Sequence, residues 1–273
     1  MRVLLVGVCR TDVHAADGLL PLGGPRILGH ELVGDVVEAD EESGWARGDR
    51  VVACPLLRCG ACAGCASHLR CVEPRMLGVD VDGAFADEVV VPADSLYGVP
   101  PSLPLRRAAY VEPIAATLAV SRAPITPGSR GLVLGRGRIA DLTTRVLRHL
   151  RFTVESPRPD EPPGAFDFVV ETAGTQASLD EALHHVRPAG AVVLKSRPPG
   201  RVGLDVARAV RNDVRLFAVS YGQWPIAARL ASELPIDDLL GDVYAIERFD
   251  AAMALTREQP LGPKLFLELG RGG

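Results

Sequence analysis

With 273 residues, 47% hydrophobic and 23% charged, the chain has an ordinary globular composition and enough length for two modest domains. Its formal net charge of -4 argues against nucleic acid as the main partner, since no basic stripe is available to neutralise phosphates. No apolar run approaches the ~20 residues of a membrane span. The apolar opening at residues 3–8 is too short for a signal-peptide core, so a cytoplasmic location is expected.

Residues 2–8 are leucine- and valine-rich and read as a buried strand that delivers Cys9 at its end. Cys9-Arg10-Thr11-Asp12-Val13-His14 follows, and Gly29-His30-Glu31 comes after a loop. A thiolate and an imidazole separated in this way suit one zinc ion. Thr11 and His14 lie close enough in sequence to carry a proton away from whatever that metal activates. Residues 32–38 and 48–52 read as further strands. The alternation of strands with Gly and Pro turns over residues 1–100 fits a β-rich domain, as a partly open barrel.

Cys59, Cys62, Cys65 and Cys71 crowd one loop of low apolar content. In a cytoplasmic chain such cysteines are expected to be metal ligands or free thiols rather than a disulfide framework. Four thiolates at this spacing favour a closed tetrahedral zinc site, with Cys54 or His68 as substitute ligands. Residues 83–92 read as a strand, and a helix starting near residue 105 carries Glu112-Pro113.

From residue 117 to about 242 the pattern changes to strands alternating with helices, which predicts a parallel α/β sheet. A strand at 131–134 runs into Gly135-Arg136-Gly137-Arg138-Ile139-Ala140 and then a helix at 141–150. This is the dinucleotide-binding glycine turn with Ala140 at its third position, where it serves helix–strand packing. Strands at 151–155 and 166–171 are joined by a Pro-rich stretch, so about one βα unit of the usual doubly wound fold is missing. Glu155 supports NAD, whereas Ser156 and Arg158 support NADP, and the choice stays open. Further elements are predicted as a helix at 179–186, a turn at 188–190 and a strand at 191–195, then a helix at 206–212 and an edge strand at 214–221. In the tail, a short strand precedes a helix at 249–257 and a last strand at 264–269.

Taken together, Cys-x-Thr-Asp-x-His, Gly-His-Glu, Gly48-Asp49-Arg50-Val51-Val52, the four-cysteine loop, Gly83-Ala84-Phe85-Ala86-Asp87-Glu88 and Glu112-Pro113 resemble the medium-chain zinc-dependent alcohol dehydrogenase family, in its polyol and threonine dehydrogenase branch. The resemblance implies a GroES-like β-rich catalytic domain over residues 1–116 and a Rossmann-type sheet over 117–242. Residues 243–273 would return to the first domain. It implies catalytic zinc on Cys9, His30 and Glu112, with water, substrate oxygen or Glu31 completing the sphere, and a structural zinc on the four clustered cysteines. Asp12 would accept from the other nitrogen of His30, Thr11 and His14 would form the proton relay, and Arg10 would contact the pyrophosphate that Gly135, Gly137 and Ala140 receive. The implied reaction moves a hydride between NAD or NADP and a secondary alcohol of polyol, sugar or cyclitol type, or its ketone. The implied assembly is a dimer or tetramer formed through the edge strand. The resemblance also implies first strands ahead of Cys9 that this sequence lacks, through either a shortened domain or a start placed too far downstream. Together with the missing βα unit this leaves one rival, a zinc-stabilised scaffold that has lost cofactor affinity.

Overall fold

A computed structural model describes residues 1–67, 70–155, 162–198 and 200–269. The chain divides into two units. The first contains Met1–Glu112, Trp224–Glu233 and Asp237–Gly273, and the second contains Pro113–Gln223 and Leu234–Ile236.

In chain order the first unit begins with β1 (Arg2–Gly7), α1 (Arg10–Ala16), β2 (Glu31–Asp35), β3 (Arg50–Ala53) and β4 (Leu56–Leu57). It continues with α2 (Ala63–Ala66), β5 (Arg75–Met76), β6 (Leu96–Gly98) and α3 (Leu105–Ala109). Helix α4 (Val111–Leu118) carries the chain into the second unit, which holds β7 (Arg130–Leu134), α5 (Arg138–His149), β8 (Thr153–Glu155) and β9 (Phe166–Glu171). Then come α6 (Gln176–His185), β10 (Val186–Leu194), α7 (Val206–Arg211) and β11 (Arg215–Ala218). Helix α8 (Trp224–Glu233), β12 (Leu240–Ala245), α9 (Phe249–Glu258) and β13 (Lys264–Glu268) belong to the first unit again.

The first unit is built on a sheet in the order β12-β13-β1-β2-β3-β6, with β4 and β5 as a separate pair. Strand β1 is central, antiparallel to both neighbours, and Val3, Leu5 and Val6 are all buried. That explains why its sequence reads as a continuous apolar run rather than an alternation. Val3 and Val6 pack with Leu32, Val51 and Leu77 in one core, while Val8 and Leu267 pack with Ala252 and Met253 of α9 in another. At the end of β1, Gly7 pairs with Glu31, and a Cβ there would lie 2.5 Å from a Glu31 carboxylate oxygen. The glycine is required by that approach.

The second unit is a five-stranded parallel sheet in the order β11-β10-β9-β7-β8. Its central strand, Phe-Asp-Phe-Val-Val-Glu, is almost wholly buried, as parallel strands covered on both faces are. The order reverses between β7 and β9, which is where open α/β sheets bind ligands, beyond the carboxyl ends of their strands. The edge strand β8 completes the first half with only two strands, in line with the missing βα unit.

Several local expectations are corrected. Residues 83–92 form no strand; they run irregularly beside β1, joined by Val3 N–H to the Asp87 carbonyl at 2.9 Å and one bridge between Arg2 and Glu88. The helix carrying Glu112 is broken at Tyr110 into α3 and α4. Pro188-Ala189-Gly190 lies inside β10, where Ala189 takes φ of 57° and the register to β9 shifts between Val186 and Ala191. His68, Ser156 and Arg158 lie outside the described residues. Among the described residues no helix is long and apolar enough to cross a membrane.

Candidate functional site

Cys9 is the N-cap of α1, so the thiol leaves β1 at the point where the chain turns into the helix. The turn is held by Asp12, which is buried: its carboxylate accepts from the Cys9 N–H at 2.8 Å, a local capping interaction. The other oxygen of Asp12 accepts from Gly29 N–H at 3.1 Å, so one side chain fixes both segments of the site. His30 and Glu31 follow directly, both buried, with Glu31 the first residue of β2. The ligand atoms of Cys9, His30 and Glu31 all lie within 4.8 Å of one another.

Burial alone would lower the His30 pKa, but the Asp12 carboxylate and the Cys9 sulfur outweigh it and raise it well above 6.5. Asp12 Oδ1 is 3.5 Å from His30 Nδ1, an electrostatic contact rather than the hydrogen bond expected, and that nitrogen has no hydrogen-bond partner. A buried imidazole beside a cysteine sulfur and a buried carboxylate is the donor set that suits zinc. One cation is already built in: Lys264 Nζ lies 2.6 Å from either oxygen of Glu31 and donates to the Val8 carbonyl at 3.1 Å.

Glu112 is not in this three-residue group. It is buried on the first turn of α4, and its charge adds to the burial that pushes the Cys54 thiol up to about 11. The structure thus gathers Glu31 rather than Glu112 with Cys9 and His30. Thr11 and His14 stand three residues apart on α1, on one face and partly exposed. The Thr11 hydroxyl is 3.6 Å from Cys9 Sγ. Arg10 is the exposed first residue of α1.

Cys59, Cys62, Cys65 and Cys71 converge as a second group within 4.8 Å. Cys65 Sγ lies 3.6 Å from Cys62 Sγ and 3.8 Å from Cys59 Sγ, and the Cys59 N–H points at Cys71 Sγ from 3.3 Å. Arg58 braces the loop by donating to the Gly64 and Cys65 carbonyls. The Val72 and Cys65 amides bring the Cys62 thiol down to about 6, close to the thiolate form a metal needs. The five residues between Cys65 and Cys71 therefore do not separate the four sulfurs.

In the second unit the glycine turn follows β7 as expected. Gly137 is the N-cap of the twelve-residue α5, and Gly135 has φ of 129°, where a Cβ would lie 2.1 Å from Thr172 Oγ1. Ala140 is buried on α5 against the sheet. Glu155 is already engaged: Arg130 grips its carboxylate with two hydrogen bonds of 2.7 and 3.0 Å while stacking over Phe166. Because Arg130 opens β7, that carboxylate is drawn back towards the amino end of the sheet, away from the end where a ribose would bind.

Sequence reasoning missed two groups, Lys264 and the buried carboxylate of Glu171. A usable signal was present, since the chain has lysine only at 195 and 264 among 30 basic residues, and both are buried.

Comparison with known proteins matches residues 1–101 to the alcohol dehydrogenase GroES-like domain. The chain is 30% identical over 233 residues to L-galactonate-5-dehydrogenase of Escherichia coli, covering 71% of this chain and 67% of that one. It is 35% identical over 153 residues to sorbitol dehydrogenase of Halalkalibacterium halodurans, covering 54% of this chain but only 45% of that protein. A zinc-binding dehydrogenase from Sinorhizobium meliloti, solved with NADP, superimposes with a TM-score of 0.83 at 24% identity, covering 98% and 90% of the two chains.

Proposed function

The chain belongs to the medium-chain zinc-dependent alcohol dehydrogenase family, and from that membership we propose that it is a zinc-dependent oxidoreductase moving a hydride between NAD or NADP and a secondary alcohol or its ketone. The observation that carries this reading is the convergence of half-buried Cys9 with buried His30 and Glu31, with Thr11 and His14 on the adjoining helix. The relatives named for L-galactonate and sorbitol support a polyhydroxylated substrate of the polyol, sugar or sugar-acid type.

Zinc held by Cys9, His30 and Glu31, with Glu112 as a further buried carboxylate, would supply the Lewis acidity that makes an alcohol proton labile near neutral pH. The nicotinamide cofactor would supply the hydride acceptor, its pyrophosphate received by the Gly135–Ala140 turn. Thr11 takes the hydroxyl proton, and His14, one turn along α1 and partly exposed, passes it to solvent. Asp12 keeps the two ligand segments in register, and Arg10, exposed at the start of α1, is assigned to the cofactor phosphates. Cys59, Cys62, Cys65 and Cys71 would hold a second zinc that crosslinks their loop, a structural role, since four protein ligands would leave no open position for chemistry.

Residues 1–116 are assigned as the catalytic domain, 117–242 as the cofactor domain and 243–273 as the returning segment. The edge strand β11, with Leu216 36% exposed, and α7, with Val210 70% exposed, support pairing with a second copy. A cytoplasmic site of action accords with six unpaired cysteines.

The test is fluorescence titration of zinc-loaded protein with NADH and NADPH in parallel, followed by a screen of polyols, sugar acids and cyclitols. Saturable binding of one cofactor and turnover of one alcohol class is the expected result. Binding of neither by folded, zinc-loaded protein would refute the reading in favour of a zinc-stabilised scaffold, the alternative that the missing βα unit favours.

A further inference from the structure

We infer that Glu171 is a positioning residue for the nicotinamide half of the cofactor site, an inference that rests on the dehydrogenase reading. Glu171 is the last residue of β9 and is 3% exposed. Its Oε1 accepts from the Ala173 and Gly174 amides and from the Ser178 hydroxyl, each at 2.7 Å. Its Oε2 receives the Ser196 hydroxyl. The backbone carbonyl of the same residue accepts from Lys195 N–H at 3.0 Å and Ser196 N–H at 3.3 Å.

One side chain therefore ties together three pieces of chain: the turn after β9, the first turn of α6 and the residue pair after β10. All three lie at the carboxyl ends of neighbouring parallel strands. Only an ionised carboxylate accepts four donors at once, because a glutamine must spend half its head group on donation. The Ala173 and Gly174 amides are turned inward onto it. Since the carbonyl of a trans peptide points opposite to its N–H, the Thr172 and Ala173 oxygens are turned the other way. The turn is also tight: Gly174 takes φ of 72°, and a Cβ there would come within 3.3 Å of Ser196.

Strand order says which half of a dinucleotide this rim serves. The glycine turn follows β7, and β8 on one side of it forms the adenosine half, so β9 and β10 on the other side form the nicotinamide half. Glu171 thus shapes the surface against which the reacting ring lies, without touching the adenosine end. The need for a rim of fixed shape accounts for placing a charged acceptor in the core where an apolar residue would be cheaper to bury.

The experiment compares E171Q, E171D and S196A with the parent protein for binding of NADH and of ADP-ribose, which lacks only the nicotinamide, and of NADPH and its 2′-phosphorylated ADP-ribose counterpart. In E171Q, NADH or NADPH affinity is expected to fall roughly tenfold or more, the scale of a lost charge-assisted hydrogen bond, while ADP-ribose affinity stays within about twofold. E171D, which keeps the acceptor set on a shorter stem, restores part of the loss. S196A, which keeps the carboxylate, moves in the same direction by less and guards against misfolding of E171Q. Equal weakening of both ligands, or of neither, overturns the assignment. Failure of the parent protein to bind either ligand refutes the dehydrogenase reading itself and is distinguishable from both.

Discussion

Lys264 is the sharpest place to test whether the site is held by charge balance. Its ammonium lies 2.6 Å from either oxygen of Glu31, with the two side chains 5% and 2% exposed. Replacing Lys264 with Met keeps most of the stem's packing but strips Glu31 of its hydrogen bond and leaves the Val8 carbonyl without its donor. Breaking a buried pair on one side costs about 3–5 kcal/mol, because the remaining charge stays buried and uncompensated. E31Q strands the ammonium in the same way. The double variant removes both charges, so the two losses are expected to overlap by about 2 kcal/mol or more. In zinc-loaded protein the metal's charge also compensates Glu31, and the K264M loss should shrink. The assay is urea unfolding of the four proteins of this cycle, followed by circular dichroism, with and without zinc. Losses that add to within about 0.5 kcal/mol would refute the coupling, and a K264M loss unchanged by zinc would remove Glu31 from the metal site.

Three further outcomes are expected. In zinc-free protein near pH 7, iodoacetamide should modify Cys62, with its pKa brought to about 6, well before Cys54, pushed to about 11; peptide mass spectrometry reads the order, and equal rates would contradict the site electrostatics. E155Q should lower stability by about 1 kcal/mol through the Arg130 pair but leave the ratio of NADH to NADPH affinity unchanged, whereas a shifted ratio would return Glu155 to the ribose site. The Arg187 guanidinium, then the Arg130 amide, hold the Asp167 carboxyl below its ordinary 3.8, so its contribution is present above that value and lost as pH falls through the lower folded value. D167N should therefore flatten the acid limb of the stability profile below about pH 4 while costing stability at pH 7, and an unchanged acid limb would contradict it.

What was legible in the sequence was whatever depends on neighbours close along the chain. Cys9 and Asp12 are three residues apart, so the cap that aims the thiol follows from local geometry. The glycine turn sits between its own strand and helix, and the four cysteines lie within thirteen residues. The expected strand at 83–92 failed because its partners are Met1 and Val3, and backbone hydrogen bonds to another segment leave no period in the segment's own sequence. The break at Tyr110 did leave a mark, Pro113, which lacks the N–H that an unbroken helix would use there and is tolerated because the break puts it in the first turn of α4. Glu155 shows the harder limit. Its place after the glycine turn suited a ribose, but the arginine that engages it stands 25 residues earlier, on the adjacent strand.

The two buried carboxylates at strand ends show why composition could point to the site before topology did. Glu31 and Glu171 occupy similar settings, one opening β2 and the other closing β9, yet they are stabilised differently. Glu31 faces an ammonium and stands beside a thiol and an imidazole, so its surroundings tolerate a change in the charge next to it. Glu171 is held by four neutral donors, which fix its geometry and leave nothing to exchange. A carboxylate that can trade one cation for another suits a metal site, and one locked by amides and hydroxyls suits a scaffold for binding. In a chain that otherwise uses arginine for positive charge, a compact ammonium appears where a flexible stem must reach a buried partner without the span of a guanidinium. The lysine at 264 thus carries information about the site that its distance along the chain conceals, because β13 returns to lie beside β1 and delivers it against the first residue of β2.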